Sequence, residues 1–361
     1  MAHPTTKSGS RAVDGTPINV MIVDDSVVAR RILSRILEED SRFGVVGSYS
    51  DAAQALQALS RERADMILLD IEMPGRTGAE SLPDLLQASN HAMIVMLSGH
   101  HAEGDPVALA ALAQGASDVI TKPMAGHFSA AFACALTERL FAIFSGRDKV
   151  SWRGDDVQRI TQPHGLTCPP RAVGIGASTG GINALTDFLG ALMELPRAPI
   201  FVTQHLPADF LPFFAEQLAR QTEFPVHLAE DKMPVVAGHV YIAPGNAHLE
   251  VTRAAHRHVL IHHSQAKCRH GVYPAVDPMF MSLAEVYGAG ACAIVLSGMG
   301  RDGMAGAEAI VRAGGSVIAQ DSASSVVWGM PGVVVQAGLA CLTIPPEEAA
   351  RILSESWRMA A

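Results

Sequence analysis

A serine lies in a glycine-rich turn after a short apolar run in the middle of the chain. Residues Arg171–Gly181 read Arg-Ala-Val-Gly-Ile-Gly-Ala-Ser-Thr-Gly-Gly, and a helical pattern follows from Ile182 to Leu192. This order predicts a parallel strand, a tight turn that carries Ser178, and a helix whose first N–H groups face the serine. Gly176–Gly180 also matches G-x-S-x-G, in which a strained turn exposes a nucleophilic hydroxyl. The turn therefore predicts acyl transfer at Ser178.

A nucleotide-binding loop is the alternative, because Gly174 and Gly176 begin the pattern G-x-G-x-x-G. Thr179 occupies the third glycine position of that pattern. The next apolar run, Pro199–Gln204, ends without the acidic residue that would bind a ribose. These departures weaken the alternative, and from the turn alone both interpretations stand.

A serine nucleophile needs a base, and the base needs a carboxylate to orient it. His205 ends the next predicted strand, and Asp302 lies in a glycine-dense turn after the apolar run Ala291–Leu296. The carboxyl ends of parallel strands share one edge of a sheet, so Ser178 and these two residues are expected together. The order Ser…His…Asp matches neither the α/β-hydrolases, nor chymotrypsin, nor subtilisin, so a standard esterase fold is disfavoured. Taken singly, His205 is one of 15 histidines and Asp302 is a common turn residue.

A second set of polar residues follows the predicted strands of the first half. Asp24 and Asp25 come after the first strand, Asp70 ends the third, Ser98 ends the fourth, and Lys122 follows the fifth. Three carboxylates at one sheet edge repel one another, so a hard divalent cation such as Mg²⁺ is the natural counter-charge. The lysine and the hydroxyl beside them are suited to hold the oxygens of a phosphoryl group on a carboxylate.

Apolar runs alternate with helical patterns along both halves, as βαβ units require. The first half predicts five β/α repeats, with strands at Ile18–Val23, Val45–Ser48, Met66–Leu69, Met93–Leu97 and Asp118–Ile120, and helices at Val27–Glu39, Ala52–Ser60, Gly78–Leu86, Pro106–Gln114 and Gly126–Phe144. The second half predicts strands at Ala172–Ile175, Ile200–Gln204, Pro225–Leu228, His239–Ile242, Ala291–Leu296 and Ser316–Ala319, with helices at Ile182–Met193, Phe210–Thr222, Pro278–Tyr287, Gly306–Ala313 and Glu347–Glu355. The predicted class is α/β: a flavodoxin-like (βα)5 domain, a linker, and a doubly wound, mostly parallel α/β domain.

At 361 residues the chain is long for one core, and two domains are expected. We expect a disordered tail over 1–16, a first domain over 17–144, a linker over 145–170 and a second domain over 171–361.

The net charge of -9 argues against a nucleic-acid surface. Five scattered cysteines without C-x-x-C suggest neither a zinc site nor a disulfide framework. No apolar run is long enough to span a bilayer, and no signal peptide is evident, so we expect a soluble cytoplasmic protein without membrane insertion.

Residues 18–140 resemble a response-regulator receiver domain, and the run from Asp70 to Gly75 resembles the segment that follows the phosphoacceptor in that family. The resemblance implies that Asp70 is the phosphoacceptor, that Asp24, Asp25 and Asp70 hold Mg²⁺, and that Ser98 and Lys122 sense the phosphoryl group. Receivers generally carry an aromatic residue shortly before the lysine, where this chain has Val119 and Ile120.

Six short motifs of the second half occur in the order found in the catalytic domain of chemotaxis protein-glutamate methylesterases. They are Gly176–Gly181, Gln204–Pro207, Tyr241–Gly245, Pro274–Asp277, Gly298–Gly303 and Gly329–Pro331. The resemblance implies Ser178 as nucleophile, His205 as base, Asp302 as its orienter, and backbone N–H groups at Thr179 and Met299 as oxyanion donors, with no cofactor for the ester chemistry. The run 319–325 lacks the family's usual glutamate and cysteine.

The two resemblances together imply hydrolysis of glutamate methyl esters on the cytoplasmic helices of chemoreceptors, with release of methanol, and deamidation of receptor glutamines. A chemotaxis histidine kinase would be the phosphodonor, and the receiver would gate access to the serine. The alternative is an adaptor that binds receptors under receiver control without catalysis. A transcriptional regulator is disfavoured, because the large acidic second half is not a small basic helix-turn-helix domain.

Alternating residues over Val251–His262 predict an antiparallel hairpin. Its histidines, His256, His258, His262 and His263, could be read as metal ligands, but no acidic partner is evident in the sequence. A partly exposed hairpin is the favoured interpretation.

Overall fold

The computed structural model describes residues 16–89, 92–99, 106–123, 128–145, 165–193, 196–206, 208–254, 258–266 and 273–360. The chain divides into two compact units, one formed by residues 1–100 and 119–151, the other by 101–118 and 152–361. Nearly all of the expected tail over 1–16 and most of the expected linker over 145–170 lie outside the described residues.

A five-stranded sheet with the order β2-β1-β3-β4-β5 forms in the first half. This is the strand order of flavodoxin-like folds, and it confirms the predicted class. The strands are β1 (Ile18–Val23), β2 (Phe43–Tyr49), β3 (Met66–Asp70), β4 (Met93–Ser98) and β5 (Asp118–Thr121), and the helices are α1 (Val27–Glu38), α2 (Ala52–Leu59), α3 (Gly78–Ala88), α4 (Pro106–Ala113) and α5 (Ala130–Ser145). The first residues of the helix predicted from Gly126 lie outside the described part of the chain.

Polar side chains fix where the early helices begin. Ser26 accepts a hydrogen bond from the N–H of Ala29 at the start of α1, and Asp51 caps α2 in the same way. Thr77 and Glu80 form a reciprocal capping box on α3. Such caps satisfy N–H groups that have no partner within the helix.

A seven-stranded sheet with the order β14-β13-β12-β6-β7-β9-β8 forms the centre of the second half, and every pair of neighbouring strands in it is parallel. Its strands are β6 (Ala172–Ala177), β7 (Ile200–Gln204), β8 (Val226–Leu228), β9 (Val240–Ile242), β12 (Ala291–Val295), β13 (Ser316–Gln320) and β14 (Leu342–Ile344). The helices are α6 (Gly181–Gly190), α7 (Leu211–Gln221), α8 (Val276–Tyr287), α9 (Met304–Arg312), α10 (Met330–Gln336) and α11 (Pro346–Met359).

The order of this sheet places β6 between β7 and β12, although β12 follows far later in the chain. The chain therefore reverses its direction of winding beside β6. In open parallel sheets the crevice at such a point, outside the carboxyl ends of the strands, is where ligands bind.

The predicted hairpin is confirmed, with β10 (His248–Arg253) paired in antiparallel fashion with β11 (Val259–Ser264). Among the α-helices and strands of the described residues, α10 and β14 had no sequence prediction. The first is a seven-residue helix with three valines, a glycine and a proline, residues of low helix propensity, and the second is only three residues long. Neither therefore produces a clear periodic signal.

Helix α8 supplies much of the core in the second unit. Val276, Met279, Phe280 and Leu283 lie on one helical face and are fully buried. Gly174 on β6 has no side chain, and a Cβ there would meet Leu283 at 2.6 Å. The glycine thus allows α8 to pack directly against the central strand.

We expect Phe280→Ala to lower the free energy of unfolding of this unit by about 3–5 kcal/mol, because the buried ring leaves a cavity. Met281→Ala is a matched control on the same helix, since that side chain is 44% exposed, and it should change stability by less than about 0.5 kcal/mol. Urea unfolding followed by tryptophan fluorescence measures both. Equal effects of the two substitutions would contradict the assignment of the buried face.

Candidate active site

Ser178 is the first residue after β6, and its side chain is half-buried. Its N–H donates to the carbonyl of Ser297 at 3.0 Å, which fixes the turn against the residues that follow β12. Gly180 caps α6 with φ of 75°, a left-handed conformation that favours glycine. A Cβ on Gly180 would also lie 2.5 Å from the Cβ of Val326. The glycines after the serine are therefore required by backbone conformation and by space.

His205 is the first residue after β7, and it lies beside the serine turn. The register pairs Ala177 with Gln204, and the N–H of His205 donates to the carbonyl of Ala177 at 2.9 Å. Ser178 and His205 therefore follow directly paired residues on adjacent strands. Among the described residues, the Ser178 hydroxyl makes no hydrogen bond to His205; catalytic hydrogen bonds often tighten only when substrate binds.

His205 is joined to Asp302 through Nε2, which lies 2.8 Å from Oδ2 of the carboxylate. A carboxylate can only accept, so the proton of the neutral ring resides on Nε2. Nδ1 is then the nitrogen with a free lone pair. The imidazole is thus held in the tautomer that can accept a proton at Nδ1.

Asp302 is 3% exposed, and its carboxylate is surrounded by donors. Besides His205, the backbone N–H groups of Val276, Asp277 and Gly303 donate to it at 2.7, 3.0 and 2.9 Å. Val276 begins α8, so the positive end of the helix dipole faces the charge. Burial acts to raise the pKa of Asp302, but the hydrogen bond and charge interaction with His205 and the amides of Val276 and Asp277 outweigh it, and the pKa lies below its ordinary value.

Two peptide groups beside Ser178 have their carbonyls fixed and their N–H groups unpaired. The carbonyl of Ser178 accepts from Gly181 N and from the Gln204 side chain, both at 2.8 Å. The carbonyl of Gly298 accepts from the N–H groups of Gly329 and Met330 at 3.1 and 2.8 Å. In a trans peptide the next N–H points the opposite way. The N–H groups of Thr179 and Met299 are therefore held outward, and neither has a hydrogen-bond partner within the described residues.

These features support acyl transfer. A hydroxyl, a ring nitrogen with a free lone pair, a buried carboxylate and two free N–H groups meet at the switch point of a parallel sheet. The first three are what nucleophilic catalysis by serine requires, and the free N–H groups are suited to a developing oxyanion.

The acidic residues predicted in the first half are also brought together. Asp24, Asp25 and Asp70 place one oxygen each within 4.8 Å of one another, the single group of three or more potential metal ligands among the described residues. Lys122 Nζ lies 2.7 Å from Asp70 and 3.1 Å from Asp24. The backbone N–H of Lys122 donates to the backbone carbonyl of Ser98, a residue that is 2% exposed.

Burial raises the pKa of Asp70 to about 6; the Lys122 ammonium opposes this rise, and the negative Asp24 adds to it. Burial acts to lower the pKa of Lys122, but its ion pairs with Asp70 and Asp24 keep that pKa above the ordinary value. The cluster therefore holds more negative charge than one lysine balances. Three converging carboxylate oxygens fit Mg²⁺, which prefers hard oxygen ligands.

The hairpin histidines that the structure describes, His258, His262 and His263, belong to no such group. The structure corrects the expectation that they lack an acidic partner, because Nδ1 of His262 lies 3.6 Å from Asp231. His263 Nε2 bonds instead to the carbonyl of Ala229 at 3.0 Å. His256 lies outside the described residues.

Comparison with known families matches both halves. The model of the CheB methylesterase family matches residues 173–353, and that of the response regulator receiver domain matches residues 20–127. The chain belongs to the CheB methylesterase family. It is 36% identical to a protein-glutamate methylesterase/protein-glutamine glutaminase of Rhodospirillum rubrum, over 98% of each chain. A relative of the same name from Azospirillum brasilense is 37% identical, over 96% of this chain and 93% of its own.

A solved structure supports the family assignment for the second half. The CheB methylesterase catalytic domain of Thermotoga maritima aligns with a TM-score of 0.50 and 38% identity, covering 52% of this chain and 98% of that chain. Within the residues described here, no helix has the length and apolar character needed to cross a membrane.

Sequence reasoning missed several groups of this candidate site. The backbone amides of Val276 and Asp277 bind Asp302, although only the Pro274–Asp277 motif was noted. Ser297 Oγ donates to the carbonyl of Thr179 at 2.8 Å and accepts from Val327 N at 3.0 Å. Ser297 follows shortly after β12, so its place at the carboxyl edge was an available signal.

We expect Asp302→Asn to lower the reactivity of Ser178 by about 10⁴-fold, because an amide N–H facing Nε2 forces the ring proton onto Nδ1. The rate of Ser178 labelling by a fluorophosphonate, normalised to folded protein by circular dichroism, measures the effect. Asp231→Asn, which alters an exposed carboxylate of the same unit, is the control and should label at the wild-type rate. Wild-type labelling of a folded Asp302→Asn variant would exclude a role for this carboxylate.

Proposed function

We propose that this chain is a phosphorylation-regulated hydrolase that removes methyl groups from glutamate methyl esters on the cytoplasmic domains of chemoreceptors and deamidates receptor glutamines. The observation that carries the proposal is the hydrogen bond between half-buried His205 and buried Asp302 beside the Ser178 turn. The relatives matched over nearly their full length bear both activities in their names. A receptor site of this kind implies that the protein works in the cytoplasm.

In the proposed mechanism, Ser178 Oγ attacks the ester carbonyl while His205 Nδ1 accepts its proton. Asp302 stabilises the imidazolium through its hydrogen bond to Nε2. The N–H groups of Thr179 and Met299 bind the oxyanion of the tetrahedral intermediate. His205 then protonates the methoxide, methanol leaves, and an acyl-serine remains.

Water completes the cycle. His205 takes a proton from the water that attacks the acyl-serine and returns it to Ser178 Oγ, which releases the glutamate carboxylate. For a glutamine side chain, the same steps protonate the amide nitrogen and release ammonia. Both reactions therefore leave a glutamate carboxylate on the receptor, and the proposed steps use only the side chains and backbone of this chain and water.

The receiver domain would control this chemistry through a phosphoryl group on Asp70, supplied by a chemotaxis histidine kinase. Receiver domains in general undergo Mg²⁺-dependent phosphorylation; here Asp24, Asp25 and Asp70 would hold the ion, whose charge offsets theirs. Lys122 would bind a phosphoryl oxygen, and Ser98 would supply a hydroxyl to another. Val119 and Ile120 replace the usual aromatic residue, so the response to phosphorylation would not use the rotation of an aromatic ring.

The proposed domain limits follow from this division of roles. Residues 17–144 would form the receiver and 171–361 the catalytic domain, joined by a linker over 145–170 and preceded by a tail over 1–16. The family matches over 20–127 and 173–353 fall inside these limits.

We expect Ser178→Ala to abolish methanol release from methylated receptor membranes, while leaving the fold and the phosphorylation of Asp70 intact, because a half-buried hydroxyl on a turn contributes little to packing. Methanol is measured directly from radiolabelled methyl esters, and Ser325→Ala, also a half-buried serine in a loop of this unit, is the control. The alternative of a non-catalytic adaptor predicts no methanol from either protein or from the wild type.

We expect Asp70→Asn to eliminate phosphorylation by a small-molecule phosphodonor, and we expect wild-type phosphorylation to require Mg²⁺. An amide cannot form the acyl phosphate, and removal of the cation leaves crowded carboxylates that repel the phosphoanion. Asp65→Asn, outside the acidic cluster, should retain labelling. Persistent labelling of Asp70→Asn would show that the acceptor is another residue.

A further inference from the structure

Gln204 is the last residue of β7 and is 1% exposed. Its Nε2 donates to the carbonyl of Ser178 at 2.8 Å, the same oxygen that accepts from Gly181 N. That carbonyl belongs to the peptide whose N–H is carried by Thr179. The glutamine therefore acts on the orientation of the N–H group beside the nucleophile.

The two peptides with free N–H groups are held by different means. The carbonyl of Gly298 has two backbone donors, Gly329 and Met330. The carbonyl of Ser178 has a single backbone donor, Gly181, and Gln204 supplies the second from a side chain. One oxyanion donor is thus positioned by backbone alone, and the other depends on a side chain that can be replaced.

The other end of the Gln204 amide has no partner. Oε1 is buried without a hydrogen bond among the described residues, and such an acceptor costs folding free energy. Turning the amide over would bring Oε1 against the carbonyl oxygen of Ser178, which is repulsive. A Cβ on Gly181 would lie 2.6 Å from Oε1, so the amide fits only beside a glycine. The hydrogen bonds of this amide are therefore those of Nε2, at 2.8 Å to the Ser178 carbonyl and at 3.4 Å to the carbonyl of His205.

We propose that Gln204 is a positioning residue for hydrolysis. It holds the Ser178–Thr179 peptide so that the N–H of Thr179 faces the oxyanion that forms on the substrate carbonyl. This inference rests on the proposed role of Ser178 as the nucleophile.

The test is Gln204→Met in the full chain, which keeps the side-chain length and removes the donor. We expect kcat for methanol release, and the rate of fluorophosphonate labelling at Ser178, to fall about 10- to 100-fold, since loss of one whole oxyanion donor costs 10²–10³. KM and the shape of the pH profile should stay as in the wild type, because the Gln204 side chain bonds to His205 only at its backbone carbonyl, at 3.4 Å, and the bond from the ring to Asp302 is kept. The melting temperature should fall less than in Gln320→Met, because the lost Nε2 hydrogen bonds are partly offset by removal of an acceptor that has no partner among the described residues.

Gln320→Met is the matched comparison. Gln320 is also a buried glutamine at a strand end, but its Oε1 accepts from Ser297 N at 2.7 Å and its Nε2 donates to Ser324 O at 3.0 Å. Its replacement should lower the melting temperature. Gln204→Leu, which also lacks a donor and cannot be protonated, should show the same loss of rate as Gln204→Met and replaces it in the test if the methionine variant does not fold.

A wild-type rate in a folded Gln204 variant would overturn the proposal. The proposal would also be overturned if the variant contained less labelled Ser178 per mole of protein but each labelled serine reacted at the wild-type rate. That is the result expected if Gln204 only stabilises the fold. If the wild type labels at Ser178 but releases no methanol from receptor membranes, the proposed substrate is wrong, while a slower labelling rate in Gln204→Met still supports the positioning role. If the wild type does not label at Ser178, both proposals fail.

Discussion

The catalytic half depends on one buried negative charge. Asp302 can remain ionised inside the protein only because four donors surround it: the ring of His205 and the backbone amides of Val276, Asp277 and Gly303. These donors come from the end of β7, the start of α8 and the turn after β12. The hydrogen bonds to the Asp302 carboxylate therefore hold three separate segments together. One of these bonds also sets the tautomer of the His205 ring.

Each half has a buried aspartate at the carboxyl edge of its own sheet, and the pKa values of the two are shifted in opposite directions. Asp302 faces neutral amides and an imidazole, and its pKa is lowered despite burial. Asp70 is buried beside another carboxylate, Asp24, and its pKa is raised although Lys122 lies 2.7 Å away. The first carboxylate suits a permanent anion that orients a base. The second lies in a cluster with excess negative charge, which suits a site that recruits a cation and then accepts a phosphoryl group.

Strand ends were the most informative feature of the sequence. In a parallel sheet, the residues at the end of each apolar run and in the turn after it lie at the carboxyl edge, so the sequence places His205, Asp302 and Asp70 at such edges. The strands of both sheets were predicted except β14, and α10 was also missed, because neither is long enough to show a period. Backbone donors such as Val276 N were not predictable, since almost every residue has a backbone N–H group and the residue type does not show which one donates to a carboxylate.

Gln204 shows a second limit of sequence reasoning. It was noted only as part of the motif that contains His205, yet its contact is with the residue that follows the neighbouring strand. Its buried Oε1 has no hydrogen-bond partner in the part of the chain that the structure describes, so the amide acts on the turn through Nε2. The turn that carries Ser178 is ordered by donors directed at two carbonyls, those of Ser178 and Gly298. The free N–H groups at the site follow from that arrangement, because each is the opposite end of a peptide whose carbonyl is already bound.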